Sequence, residues 1–196
     1  MCRLPKTRLK QQEYTMTEIN PCLKITGPEP EGRLQKELDS FELLNRLNIP
    51  YAWLDHEVKM TIADCGDIDE LLEIDLCKNL FLCNKAKDAF FLLMLPGSKK
   101  FVTKQVSHLI GTSRLEFAPE SYMEEFLNLS PGSVSVMGLM YDAQNKVQLL
   151  IDRDVLRHRY IGCHPCINTA SLRMPAEDFL EKFLPAVGHE PIILDL

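Results

Sequence analysis

The sequence predicts a mixed α/β fold in a single domain, and three observations carry that expectation. Short runs of β-type residues are interspersed with stretches of helical apolar period, without the strict strand-helix-strand rhythm of a parallel sheet. The 196 residues are enough for one hydrophobic core and leave little chain for a second. Hydrophobic residues make up 45% and charged residues 26%, the balance of a chain that buries a core.

Residues 1–33 read as a flexible leader, because they show no sustained apolar period and contain Pro21, Gly27, Pro28 and Pro30. Met16 is an alternative start. The folded domain is expected over 34–196. It opens with a helix over 34–48, where Leu34, Leu38, Phe41, Leu44 and Leu47 return every three or four positions before Pro50 stops them. Strands of one sheet are expected at 51–54, 80–83, 89–95, 133–139 and 147–151, with a further extended run over 167–172. Helices are expected at 68–76, at 103–110 closed by Gly111, and at 121–127, the last preceded by a short strand at 115–117. Pro175 opens and Gly188 follows a final helix with Phe179, Leu180, Phe183 and Leu184 on one stripe, and 192–194 adds an edge strand.

Bulk properties narrow the function. A net charge of −6 argues against coating DNA or a long nucleic-acid backbone, since that affinity comes from lysine and arginine neutralising phosphates, but it leaves a local contact open. Charge is uneven: 55–76 holds eight acidic residues against Lys59, and 78–104 holds six lysines against Asp88. Such asymmetry steers an anion toward one face, or reflects two solvated faces that happen to differ. The longest apolar run, 89–96, is about a third of a bilayer span, and the first residues lead into no secretion core, so no membrane association or export is expected. Seven irregularly spaced cysteines read as reduced thiols of a cytoplasmic protein.

The chemistry-bearing elements each admit a structural reading as well. Cys163-His164-Pro165-Cys166 has the spacing of a redox dithiol or half a zinc site. However, an extended run rather than a helix follows it, and Cys77 with Cys83 are spaced too widely for the other zinc half. Structural thiols beside a functional His-Pro fit better, and no metal or cofactor is expected. Neither a phosphate-binding glycine loop nor a serine-nucleophile elbow occurs. Lys78 lies where an acidic helix gives way to an apolar strand, a place from which a cation reaches a cleft or simply solvent. His164, Asn168 and Thr169 suit a binding loop or an ordinary turn, and Gly132-Ser133 suits either a pocket rim or a strand start.

Taken in order, Lys78-Asn79-Leu80-Phe81-Leu82, Pro131-Gly132-Ser133-Val134-Ser135 with Gly138-Leu139, Gly162-Cys163-His164-Pro165 with Asn168-Thr169-Ala170, and Gly188-His189-Glu190-Pro191 resemble the prolyl-tRNA-synthetase-associated domain, or YbaK, family. Within it they look like the freestanding ProX-type deacylases, and the resemblance covers 34–196. It implies a mixed, partly barrel-like central sheet surrounded by helices, and hydrolysis of the ester that joins a misattached amino acid to the terminal ribose of tRNA(Pro). Lys78 would be the catalytic cation holding the phosphate or ribose of the terminal adenosine, supported by Asn79. The backbone from Gly162 to Pro165 would line the ester carbonyl, and His164 would position water or substrate. Gly132, Ser133, Asn168 and Thr169 would complete the substrate site. Lys85, Lys87, Lys99, Lys100 and Lys104 are candidates for acceptor-stem phosphates, and prolyl-tRNA synthetase is a candidate partner besides tRNA(Pro). Asn79 points to the alanine-clearing branch, because the cysteine-clearing branch carries threonine there. Val136-Met137 departs from the family's Pro-Phe. Clearance of Cys or Ser, or a non-catalytic tRNA- or synthetase-binding module, are the competing readings.

Overall fold

The computed structural model describes residues 22–58, 66–75 and 77–196, so Met16 and most of the expected leader lie outside the described residues. The two strongest apolar runs become an antiparallel hairpin: β2 (Cys77–Asn84) pairs β3 (Phe90–Pro96) from Cys77 opposite Pro96 to Cys83 opposite Phe90. Around this hairpin come helix α1 (Gln35–Arg46), strand β1 (Ala52–Asp55) and helix α2 (Gly66–Leu72) before it, and α3 (Thr103–Leu109), β4 (Leu115–Phe117), α4 (Glu120–Leu127) and β5 (Val147–Asp152) after it. Strands β6 (Tyr160–Cys163), β7 (Ala170–Pro175) and β8 (Ile192–Leu194) complete the set, with a broken helix between the last two.

The strands form two sheets rather than the single one expected. Five associate in the order β4-β2-β3-β5-β8, with β3-β5 and β5-β8 parallel and the others antiparallel, and three in the order β1-β7-β6. The reason lies in the alternation of β2 and β3. Phe81 and Cys83 with Phe90, Leu92 and Met94 pack in one core with Trp53, Ile161, Cys163, Leu172 and Met174 of the small sheet. Leu82 with Phe91, Leu93 and Leu95 packs in a second core with Val106 of α3. A strand covered on both faces is apolar throughout, so its run in sequence does not reveal how many layers lie over it.

Three local differences follow from side chains. Residues 133–139 contain no strand; Val136–Tyr141 is a 3-10 turn whose first bond is capped by the Ser135 hydroxyl, which accepts from Met137 N–H at 3.2 Å. A run buried on all sides has no period that separates strand from helix. Strand β7 starts only at Ala170, because Cys166 at φ 60° turns the chain first. Strand β6 escaped sequence reading because it has four residues and one is a glycine. The final helix is α5 (Ala176–Asp178), a π turn over Phe179–Phe183 and α6 (Leu184–Val187). Pro185, at the start of α6, has no N–H with which to continue the regular ladder.

The described part of the expected leader packs on the domain. Lys24 and Trp53 exchange two backbone bonds of 2.8 Å, and Trp53, 1% exposed, donates its indole N–H to Thr26 O at 2.7 Å. Lys24 and Arg33 lie over the Trp53 ring, 4.4 and 5.3 Å from its centroid. Residues 22–33 thus behave as part of the small sheet's edge, held by one buried aromatic. Among the described residues no helix is long and apolar enough to cross a membrane.

Candidate active site

Two of the expected motifs meet at one cavity of about 480 Å³. It opens between the start of α1, the end of β1, the 130–133 loop and the turn over 166–169, and Ser133, Asn168 and Thr169 line it together with Arg33, Lys36, Glu37 and His56. Its size is that of a small-ligand site. Gly132 is what lets the two loops approach. Its φ of +87° is a left-handed conformation, and a Cβ there would stand 3.3 Å from the Asn168 amide nitrogen. Ser133 is 3% exposed and closes its own turn, accepting from Ser130 N–H at 3.2 Å and donating to Ser130 O at 2.9 Å. Ser135 ties the loops again, its hydroxyl donating to His164 O at 2.5 Å.

His164 sits behind this turn with Nδ1 2.8 Å from Ala170 O. A carbonyl only accepts, so Nδ1 carries the proton and Nε2 the lone pair. Burial, and secondarily the neighbouring His56, hold its pKa below the ordinary histidine value, which leaves the ring neutral at neutral pH. Pro165 is buried beside it. Gly162, in β6, serves packing: a Cβ there would lie 2.2 Å from Ile74 Cδ1. The thiols are not nucleophiles. Burial pushes Cys166 up to about 12 and Cys163 beyond the thiol range, and Cys166 only accepts a 3.6 Å contact from the Ser40 hydroxyl.

The cavity wall carries balanced charge. Arg33 donates to both Asp55 and Glu37, and it holds the Asp55 carboxyl down at about 2, while burial raises Glu37. Lys36 donates to Asn128 O at 3.2 Å. Arg33, Lys36 and His56 were not anticipated. Arg33 lay in the supposed leader, and no local motif marks a helix-start lysine or a histidine after a short strand.

The expected union of Lys78 with this loop is not observed. Lys78 lies opposite Leu95, on the face of β2 that carries Leu80 and Leu82, and its half-buried Nζ donates to Lys99 O at 2.7 Å. Asn79, opposite Met94, points between the two sheets, where its Oδ1 is buried without a hydrogen-bond partner. The start of β2 reaches the same core as the loop, since Cys77 packs against the cluster that contains Cys163 and Cys166. The two side chains of the motif therefore serve opposite faces.

The lysine cluster is divided too. Lys85 and Lys87 sit exposed at the hairpin tip, about 20 Å along β2 from Lys78. Lys100 and Lys104 are exposed near the Lys78 end, and Lys99 is taken up by Asp152 at 2.8 Å, Asp154 at 2.7 Å and Leu196 O at 2.8 Å. An ammonium so paired is not a phosphate contact. Val136 and Met137, both fully buried in the main core, do not line the cavity.

Comparison with known proteins follows the same residues. Residues 56–182 match the family model for the aminoacyl-tRNA editing domain. The zebrafish (Danio rerio) prolyl-tRNA synthetase associated domain-containing protein 1 is 31% identical over 163 residues, covering 82% of this chain and 86% of that protein. The prolyl-tRNA editing protein ProX of Acetoanaerobium sticklandii is 30% identical over 147 residues, covering 74% and 88%. A solved structure of a candidate trans-editing enzyme for prolyl-tRNA synthetase superposes with a TM-score of 0.61 over 84% of this chain and 99% of that one, at 12% identity, a likeness of fold alone. The chain belongs to the aminoacyl-tRNA editing domain family, within its prolyl-tRNA editing branch.

Proposed function

We propose that this protein is a cytoplasmic, trans-acting deacylase that releases alanine from mischarged tRNA(Pro). The observation that carries the reading is the cavity in which Ser133, Asn168 and Thr169 meet His56, whose ring centroid lies 6.0 Å from that of half-buried, neutral His164. An aminoacyl ester is already activated, so oriented water and a stabilised oxyanion suffice and no covalent nucleophile is needed. Water attacks the ester carbonyl, its proton passes to His164 Nε2, and collapse of the tetrahedral intermediate breaks the bond to the ribose oxygen, which takes up a proton and leaves as the hydroxyl. The Asn168 amide supplies an N–H to the developing oxyanion. Lys36, whose ammonium gives one bond to the Asn128 carbonyl, faces the anionic end of the ligand from the cavity rim.

In this reading Lys78 grips a phosphate of the terminal nucleotides from the outer face, assisted by Lys100 and Lys104. Its ammonium has three N–H groups, and the bond to Lys99 O uses one. Selection of alanine over proline comes from pocket size, since a larger acyl group is excluded sterically. Asn79 supports alanine over cysteine.

A panel of tRNA(Pro) charged with alanine, cysteine, serine or proline, incubated with micromolar protein and chelator, tests the proposal. Alanine release is expected to exceed the other rates. Cysteine or serine release ahead of alanine replaces the substrate, and tight binding of Ala-tRNA(Pro) without hydrolysis replaces the enzyme by a binding module.

A further inference from the structure

Two histidines converge behind the cavity. His56 follows β1, lines the cavity, and donates its backbone N–H to Thr169 O at 2.9 Å. Its ring centroid lies 6.0 Å from that of His164, and the Ser171 hydroxyl stands between them, 2.9 Å from His56 Nε2 and 3.3 Å from His164 Nδ1. Both ends of the chain are backbone carbonyls: Glu57 O is 2.7 Å from His56 Nδ1, and Ala170 O is 2.8 Å from His164 Nδ1.

Carbonyl ends fix every hydrogen between them. His56 Nδ1 carries a proton for Glu57 O, so His56 Nε2 is a lone pair. The Ser171 hydroxyl must donate to it. Ser171 Oγ then offers its own lone pair to His164 Nδ1–H, which it shares with Ala170 O. The basic nitrogen of His164 is thereby Nε2.

We infer that His56 is a positioning residue for the deacylation: Ala170 O holds His164 as the Nδ1–H tautomer, and the His56–Ser171 pair supplies the second acceptor that fixes the ring's orientation, with Nε2 free to accept the proton of water. The catalytic part rests on the deacylase reading; the hydrogen-bond chain does not. The charged groups around His56 are Asp55 and Glu57 beside it in sequence, Arg33 and Lys24 through their bonds to Asp55, Lys36 and Glu37 across the cavity, and His164 behind Ser171.

Long-range proton–nitrogen NMR of the histidine rings, with turnover of Ala-tRNA(Pro) by the same proteins, tests this. His164 is expected as Nδ1–H in all three proteins, because Ala170 O remains, but with a shifted and faster-exchanging Nδ1–H resonance in His56→Ala and in Ser171→Ala, where the second acceptor is lost or left unoriented. Turnover by His56→Ala is expected to fall roughly 10- to 100-fold in kcat with KM nearly unchanged. His56→Gln, whose amide oxygen accepts from Ser171, is expected to recover most of it. A native His164 in the Nε2–H form, or a His56→Ala protein with an unchanged Nδ1–H resonance and exchange or unchanged kcat, overturns the inference. A native protein with the expected tautomer and no deacylation sinks the deacylase reading and the catalytic role of His56 with it, while the ring spectra show that the hydrogen-bond chain itself was read correctly.

Discussion

The loop side and the lysine side of this domain solve different problems. At the loop side a left-handed glycine, serine-bonded turns and a half-buried neutral histidine stand around an open cavity where Arg33 is paired with Asp55 and Glu37. At the lysine side Lys78, Lys100 and Lys104 stand around a strand end, with Lys99 locked into carboxylates. A preorganised cavity suits bond making and breaking. A cationic outer face suits holding a polyanion without deciding what happens to it. Substitutions on the first side are therefore expected to move kcat, and those on the second KM.

The largest effect is expected at His164. Changing it to Ala removes the proton acceptor and should lower single-turnover deacylation of Ala-tRNA(Pro) by roughly 10²- to 10⁴-fold, with little change in KM. Equal losses in kcat for Lys78→Ala would break the division between the sides and restore Lys78 to the reacting centre. The expected result for Lys78→Ala is a KM raised about tenfold by loss of one charge-assisted phosphate contact, with kcat largely retained.

Gly132→Ala sharpens the comparison from the side of structure. A left-handed non-glycine conformation costs about 1–3 kcal/mol, and the added methyl presses on Asn168, so denaturant unfolding should show that loss and kcat should fall with it. Glycine-like stability in Gly132→Ala would mean that the loop relaxes freely and that the cavity is less preorganised than described.

Acidification probes the same side. His164 has a folded pKa below its ordinary value of about 6.5, so the folded protein releases its proton more readily than the unfolded chain. Its contribution to stability is full above that ordinary value and is lost as pH falls below it. Activity, which needs the unprotonated ring, should stay level through neutral pH and drop only at a lower pH, in a pH profile of kcat. A loss of activity beginning above pH 7 would contradict the assignment of His164 as base.

The smallest effects belong to the exposed lysines. Lys100→Ala and Lys104→Ala should each raise KM modestly and reduce the slope of log KM against log salt by roughly one. Lys99→Ala should instead destabilise the fold, because it leaves Asp152, which is 1% exposed in its side chain, without its cation.

The helices were legible because amphipathic periods and proline or glycine stops are local. Of the expected loop residues, Ser133, Asn168 and Thr169 do line one cavity, and Gly132 approaches Asn168. Lys78 does not line this cavity, because strand alternation sends Lys78 and Asn79 to opposite faces, which a motif read in sequence order does not reveal. His56, Arg33 and Lys36 were missed because they reach the cavity through tertiary packing across β1 and α1. The count of sheets failed for a related reason, as runs buried on both faces look alike whichever layer covers them.

The most direct measurement is a crystal structure with a non-hydrolysable 3′-alanylamino adenosine, the acylated end of the tRNA with an amide in place of the ester. The alanyl carbonyl is expected within hydrogen-bond reach of Asn168 in the cavity, with His164 Nε2 facing the carbonyl carbon directly or through one water. An alanyl group bound instead at the Lys78 face, beyond the five-stranded sheet, would contradict the assignment of catalysis to the loop side.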